Sequence, residues 1–183
     1  ILPDVVTLNI ATELKAKALI EEVNLDGIEI VSSDYETTEF FSQSDITPEH
    51  LANDFFGPLK FVMQIVHYFN MTKGLRISLE SGSPAGAGLG GSSAMGVTLY
   101  KALARWCKQE IDPIKAISIV NAIEARILDC GPAGYQDYYP ALFGGVLGLV
   151  AKPGHVEVNQ LYSAELAEVL EKNLTLVYSG QTR

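Results

Sequence analysis

The chain has 183 residues, enough for one domain, and its 48% apolar content can fill a sizeable core. A formal charge of −9 argues against nucleic acid or an anionic membrane surface as partner, and no run approaches the about 20 apolar residues of a membrane span. Cys107 and Cys130 form neither a disulfide framework nor a zinc spacing, and His50, His67 and His155 are too scattered for a metal cluster, so a reducing, cytoplasmic setting is expected.

Residues 5–20 read as a strand, because Leu14, Ala16, Ala18 and Ile20 alternate with Lys15, Lys17 and Leu19. The NLDG stretch at 24–27 reads as a turn and 28–31 as a returning strand, which predicts a hairpin. Residues 32–45 are polar and suit an exposed edge. Thr47 and Pro48 mark a helix start, as cap and first-turn residue. Leu51, Phe55, Leu59, Val62, Val66 and Phe69 carry helical spacing on to about Asn70, with Gly57 and Pro58 bending or splitting the helix.

Leu75, Ile77 and Leu79 alternate with Arg76, Ser78 and Glu80, the pattern of a half-buried strand. A loop holding Gly82, Gly86, Gly88, Gly90 and Gly91 follows. Beyond it Met95, Leu99, Ala102, Leu103 and Trp106 line one side of a helix. A second helix opens at Asp112 and Pro113 and carries Ile117, Val120, Ile123 and Ile127 on one face. A second loop, DCGPAGYQDYYPALFGG, spans 129–145. Short strands are expected at 146–150, 156–158 and 174–178, with a helix at 164–172. The order predicts an α+β fold, a mixed sheet with helices packed on one side. The chain opens without methionine, shows no signal peptide and closes on Arg183 after an apolar run, which reads as a piece of a longer protein.

A strand, a glycine-rich turn and two serines opening a helix form a recipe for holding phosphate. Glycines let oxygens approach the backbone, and the helix start adds unpaired N–H groups and the positive end of its dipole. In an acidic chain, a polyphosphate needs that source of positive potential together with a cation. Ser92 and Ser93 can cap the helix or ligate Mg²⁺. The bland alternative, a flexible linker, does not suit a position between a strand and an amphipathic helix. No lysine follows the glycines, so the Walker pattern fails. Gly86 to Gly91 does match G-x-G-x-x-G. The dinucleotide site that pattern implies needs a strand after the helix, ending in an acid, whereas Glu110 falls between two helices.

Pro84 followed by G-x-G-L-G-x-S-S-A, ending at Ala94, resembles the phosphate loop of the GHMP kinases. GYQDYYPALFGG, at 134–145, is similar to the Gln-Asp-x-Tyr…Phe-Gly-Gly stretch of that family's heptose 7-phosphate kinase and fucokinase branch. The closing LVYSGQTR resembles the strand and turn leading into the branch's C-terminal domain. The resemblance implies that residues 1–183 are an ATP-binding N-terminal domain, lacking the first strand with its basic helper residue and lacking the C-terminal domain. It implies a ribosomal-protein-like fold with a left-handed βαβ unit, against the general rule.

Carried over residue by residue, the resemblance makes Gly86, Gly88, Leu89, Gly90, Gly91, Ser92 and Ser93 the cradle for ATP. Ser92 and Glu124 would hold Mg²⁺, and Asp137 would receive or orient the acceptor hydroxyl. Tyr135, Gln136 and Tyr138 would face the substrate. The implied reaction passes the γ-phosphoryl group to a sugar or sugar phosphate, such as a heptose 7-phosphate or a fucose-like sugar at its anomeric hydroxyl. Turnover by these residues alone should be poor.

Read from the residues themselves, Glu124 lies on or near the apolar stripe of its helix, where a carboxylate is costly unless paired or on a metal. A salt bridge or an edge position would also accommodate it. Asp137, in a Gly/Pro-rich loop, would by position alone be a turn or capping residue. Arg183 reads as a solvated terminus rather than a contact for substrate phosphate. A non-catalytic nucleotide-binding module remains the alternative. Oligomeric state is not written in the pattern.

Overall fold

The computed structural model describes residues 5–84, 86–128 and 134–177. Two sheets appear where the sequence suggested one. The alternation across 5–20 divides into β1 (Val6–Ile10) and β2 (Lys17–Glu22), which join different sheets. β1 pairs antiparallel with β6 (Val146–Lys152), and β6 pairs with β7 (His155–Gln160), giving the order β1-β6-β7. The second sheet has the order β2-β5-β3-β4, with β3 at Gly27–Ser32, β4 at Thr37–Ser42 and β5 at Leu75–Glu80.

The expected hairpin at 24–27 is therefore not formed. β5 lies between β2 and β3, antiparallel to the first and parallel to the second. Two central strands, β3 and β5, sharing one buried face offset the lost local pairing: Ile28, Ile30, Leu75, Ile77 and Leu79 are all buried, each contributing about 1.5–3 kcal/mol by leaving water. The polar stretch does form an edge, as β4.

Between the parallel strands β3 and β5 run α1 (Pro48–Ala52), a 3-10 turn at Gly57–Leu59 and α2 (Lys60–Tyr68). Thr47 caps α1 by accepting from the His50 amide at 3.2 Å, and Gly57 with Pro58 splits the helical run as expected. α3 (Gly91–Trp106) and α4 (Pro113–Leu128) follow β5, and Leu99, Leu103, Ile117 and Val120 join the core that α2 and the four-stranded sheet build. The second loop contains a short helix, α5 (Tyr138–Phe143), which the sequence reading missed. α6 (Ala164–Asn173) is capped by Ser163.

Residues 174–177 form no strand, contrary to expectation. Cys130, Tyr178 and Arg183 lie outside the described residues. Among the described residues no helix is long and apolar enough to cross a membrane.

Candidate active site

β5 delivers the chain into the glycine loop. Gly86, Gly88 and Gly90 all adopt positive φ, at 71°, 73° and 70°, where only glycine sits without strain. Gly90 is the N-cap of α3, so no side chain satisfies the first amides of that helix. Gly86 and Gly88 are exposed at the outer part of the loop, while Leu89 and Gly90 reach a cleft of about 470 Å³.

One wall of the cleft is this loop with Ala94 and Thr98 of α3. The segment joining β1 to β2, including Thr12, Leu14 and Lys15, also lines it, as do Pro140 and Phe143 of α5. Asp137 lines the same cleft. It occupies the N-cap position of α5, yet its carboxylate makes no capping hydrogen bond. A β-carbon at position 90 would come within van der Waals reach of it, so loop and acid are neighbours.

Ser92 and Glu124 also meet. The serine Oγ donates to Glu124 Oε1 at 2.8 Å, linking the start of α3 to the C-terminal part of α4. Oε2 of the same glutamate accepts from the Tyr138 hydroxyl. Tyr138 is fully buried, and burial, followed by the adjacent Glu124, holds its hydroxyl well above the ordinary tyrosine range. Ser93 is buried beside it.

The three residues expected to face substrate divide differently. Tyr138 points inward to Glu124. Gln136 is exposed, its side chain folded over Gly134, and its carbonyl accepts from Asn9 Nδ2 at 3.1 Å. Tyr135 is half-buried against the core. None of the three is in the cleft lining, whereas Asp137 is.

Lys15 was not singled out from the sequence, where it read as one polar position in an alternating strand. Among the described residues it is the one cation lining the cleft and has no ion pair, while its neighbour Lys17 pairs with Glu80 at 3.0 Å. Its place is set by Gly82. A β-carbon there would stand 2.7 Å from the Lys15 amide nitrogen, so the two backbones can approach only because position 82 is glycine.

A family model, GHMP kinases N terminal domain, matches residues 58–145, which takes in the glycine loop, Glu124 and Asp137. The fold is similar to a D-glycero-D-manno-heptose 1-phosphate kinase from Bacteriodes thetaiotaomicron, with 29% identity, a TM-score of 0.70, and coverage of 88% of this chain and 52% of that one. It is also similar to Lactococcus lactis galactokinase complexed with galactose, at 10% identity and TM-score 0.69, covering 94% and 53%. A third likeness is to Streptococcus pneumoniae phosphomevalonate kinase in complex with phosphomevalonate and AMPPNP, at 13% identity and TM-score 0.57, covering 93% and 47%. The chain spans about half the length of the structures it matches.

Proposed function

We propose that the chain, whose residues 58–145 match the GHMP kinases N terminal domain, forms the ATP-binding half of a kinase acting on a small molecule, a sugar or sugar phosphate. The observation that carries this is a single arrangement: Ser92 bonded to Glu124 at the head of α3, with Asp137 beside Gly90 in the adjoining cleft. Support for a sugar comes from the heptose 1-phosphate kinase likeness at 29% identity. Support for ATP comes from the glycine loop and from the AMPPNP held by the phosphomevalonate kinase. Heptose 7-phosphate or a fucose-like sugar, phosphorylated at the anomeric hydroxyl, is the acceptor we propose.

The exposed amides of the 86–91 turn and the first turn of α3 bind the phosphate tail, countering the chain's negative charge locally. A serine hydroxyl and a carboxylate are the oxygen donors Mg²⁺ takes, and Mg²⁺ completes its shell with water and substrate phosphates, so Ser92 and Glu124 are a fitting protein share. Bound there, Mg²⁺ supplies positive charge against the β- and γ-phosphate oxygens. Asp137 accepts a hydrogen bond from the acceptor hydroxyl, orients its oxygen for in-line attack and receives the proton late. Lys15 holds an anionic group of the acceptor across the cleft. Positioning and charge neutralisation do most of the work.

The test is a panel of sugars and sugar phosphates with ATP and Mg²⁺, following ADP release by the full-length protein. Asp137→Asn should cut kcat by about 10²–10⁴-fold and leave ATP affinity nearly unchanged. Unaltered turnover would exclude the acid role, and an absence of ADP release across the panel would favour a nucleotide-binding module without catalysis.

A further inference from the structure

Tyr138 stands first in α5, directly after Asp137, and its side chain is wholly buried. A ring that only filled space would serve as well without a hydroxyl, because a buried phenol must find a polar partner or lose stability. This one finds Glu124. The two carboxylate oxygens are held from two separate elements: Oε1 by Ser92 at the head of α3, Oε2 by Tyr138 at the head of α5. Ser93, next to Ser92 in the chain, is itself buried, at 4% exposure.

A glutamate side chain has three rotatable bonds and, left to itself, samples several rotamers. Here both of its oxygens are occupied in one geometry. With Oε2 committed to Tyr138, Oε1 is the oxygen that Glu124 presents beside Ser92. The next residue back along the chain from Tyr138 is Asp137, in contact with Gly90 of the phosphate loop. One buried side chain thus joins three segments that sit far apart in sequence.

Resting on the phosphoryl-transfer reading above, we propose that Tyr138 is a positioning residue: its buried hydroxyl fixes the Glu124 carboxylate against Ser92 and so ties the cation-holding pair to the segment that carries Asp137. It touches neither substrate nor nucleotide. Its effect passes through Glu124, in the way that outer-shell partners orient the direct ligands of a metal.

The experiment uses the full-length protein and Mn²⁺ as an EPR-visible probe, titrated in the presence of a non-hydrolysable ATP analogue. Tyr138→Phe keeps the ring and deletes the hydroxyl. Cation affinity should fall about 10-fold or more, and the Mg²⁺ concentration for half-maximal turnover should rise in step, while KM for the acceptor stays nearly constant. In a Glu124→Gln background the same change should add no further loss, since its route is already cut. Unchanged cation affinity in Tyr138→Phe, or an equal additional loss in the Glu124→Gln background, would overturn the proposal. If wild type and Glu124→Gln bind the Mn²⁺–nucleotide pair equally, the phosphoryl-transfer reading itself fails. If Glu124→Gln is impaired and Tyr138→Phe is not, only the role of Tyr138 fails.

Discussion

Gly90 and Asp137 are in contact: a β-carbon at position 90 would stand 3.0 Å from the Asp137 Cβ and 3.3 Å from its Cγ. The backbone of Gly90 is also left-handed, with φ of 70°. Gly90→Ala therefore meets two penalties, about 1–2 kcal/mol for the left-handed backbone and a displaced Asp137. A shift near 1 Å at a reacting group can cost on the order of 100-fold. We expect kcat to fall at least tenfold with a smaller loss of thermal stability. Steady-state kinetics alongside a melting curve would separate the two, and wild-type kcat would count against the acid's role.

Lys15 predicts a dependence on the charge of the acceptor. Lys15→Met keeps much of the stem and removes the one cation that lines the cleft among the described residues. A charge-assisted hydrogen bond is worth about 1.5–3 kcal/mol, so KM for a phosphorylated sugar should rise about tenfold or more. A neutral sugar should be little affected. Comparing KM for both acceptors in both proteins measures it.

Gly82 holds the Lys15 segment in place. Alanine there would overlap backbone atoms of Leu14 and Lys15, which stand 2.7–3.0 Å from its β-carbon and cannot rotate away as a side-chain tip would. Forcing such an overlap typically costs about 1–3 kcal/mol. Gly82→Ala should lower the urea midpoint by a corresponding amount and weaken acceptor binding, with ATP affinity affected less.

Alkaline pH gives a fourth expectation. Burial raises Tyr100, Tyr138 and Tyr139 above the ordinary tyrosine value. Below about pH 10 these groups carry their protons in both folded and unfolded chains, so they leave stability unchanged. Above it the unfolded chain releases protons that the folded one retains, and stability falls as pH rises, by up to about 1.4 kcal/mol per pH unit for each tyrosine. Urea midpoints between pH 9 and about pH 11.5 should show the decline. Tyr138→Phe should make it shallower.

Local signals in the sequence translated well where the partner was also local. Thr47 and Pro48 begin a helix, Leu75 to Leu79 alternate as a strand, and the glycines at 86–91 precede a helix. Partner choice was not legible. Val6, Leu8 and Ile10 keep the same parity as Ala16, Ala18 and Ile20, so alternation alone runs straight through the change of sheet. Turn chemistry at 24–27 is the same whether the next strand pairs with β2 or β5 slips between. The site residues Glu124 and Asp137 came from a resemblance in motif, and only coordinates bring Ser92 to one and Gly90 to the other. An aromatic beside Gly and Pro looks like a ligand face, and nothing local reveals that α5 turns Tyr138 into the core.

The strip of chain from Ala11 to Ala16 is fastened at both ends, by the Ala11 amide to the Gly145 carbonyl at 2.8 Å and by the close passage of Lys15 over Gly82. Freezing a loose residue costs about 1–2 kcal/mol of backbone entropy, so six recruited by an incoming guest would tax its affinity heavily. Here the fold itself fastens the strip, so an incoming guest meets a seat already shaped.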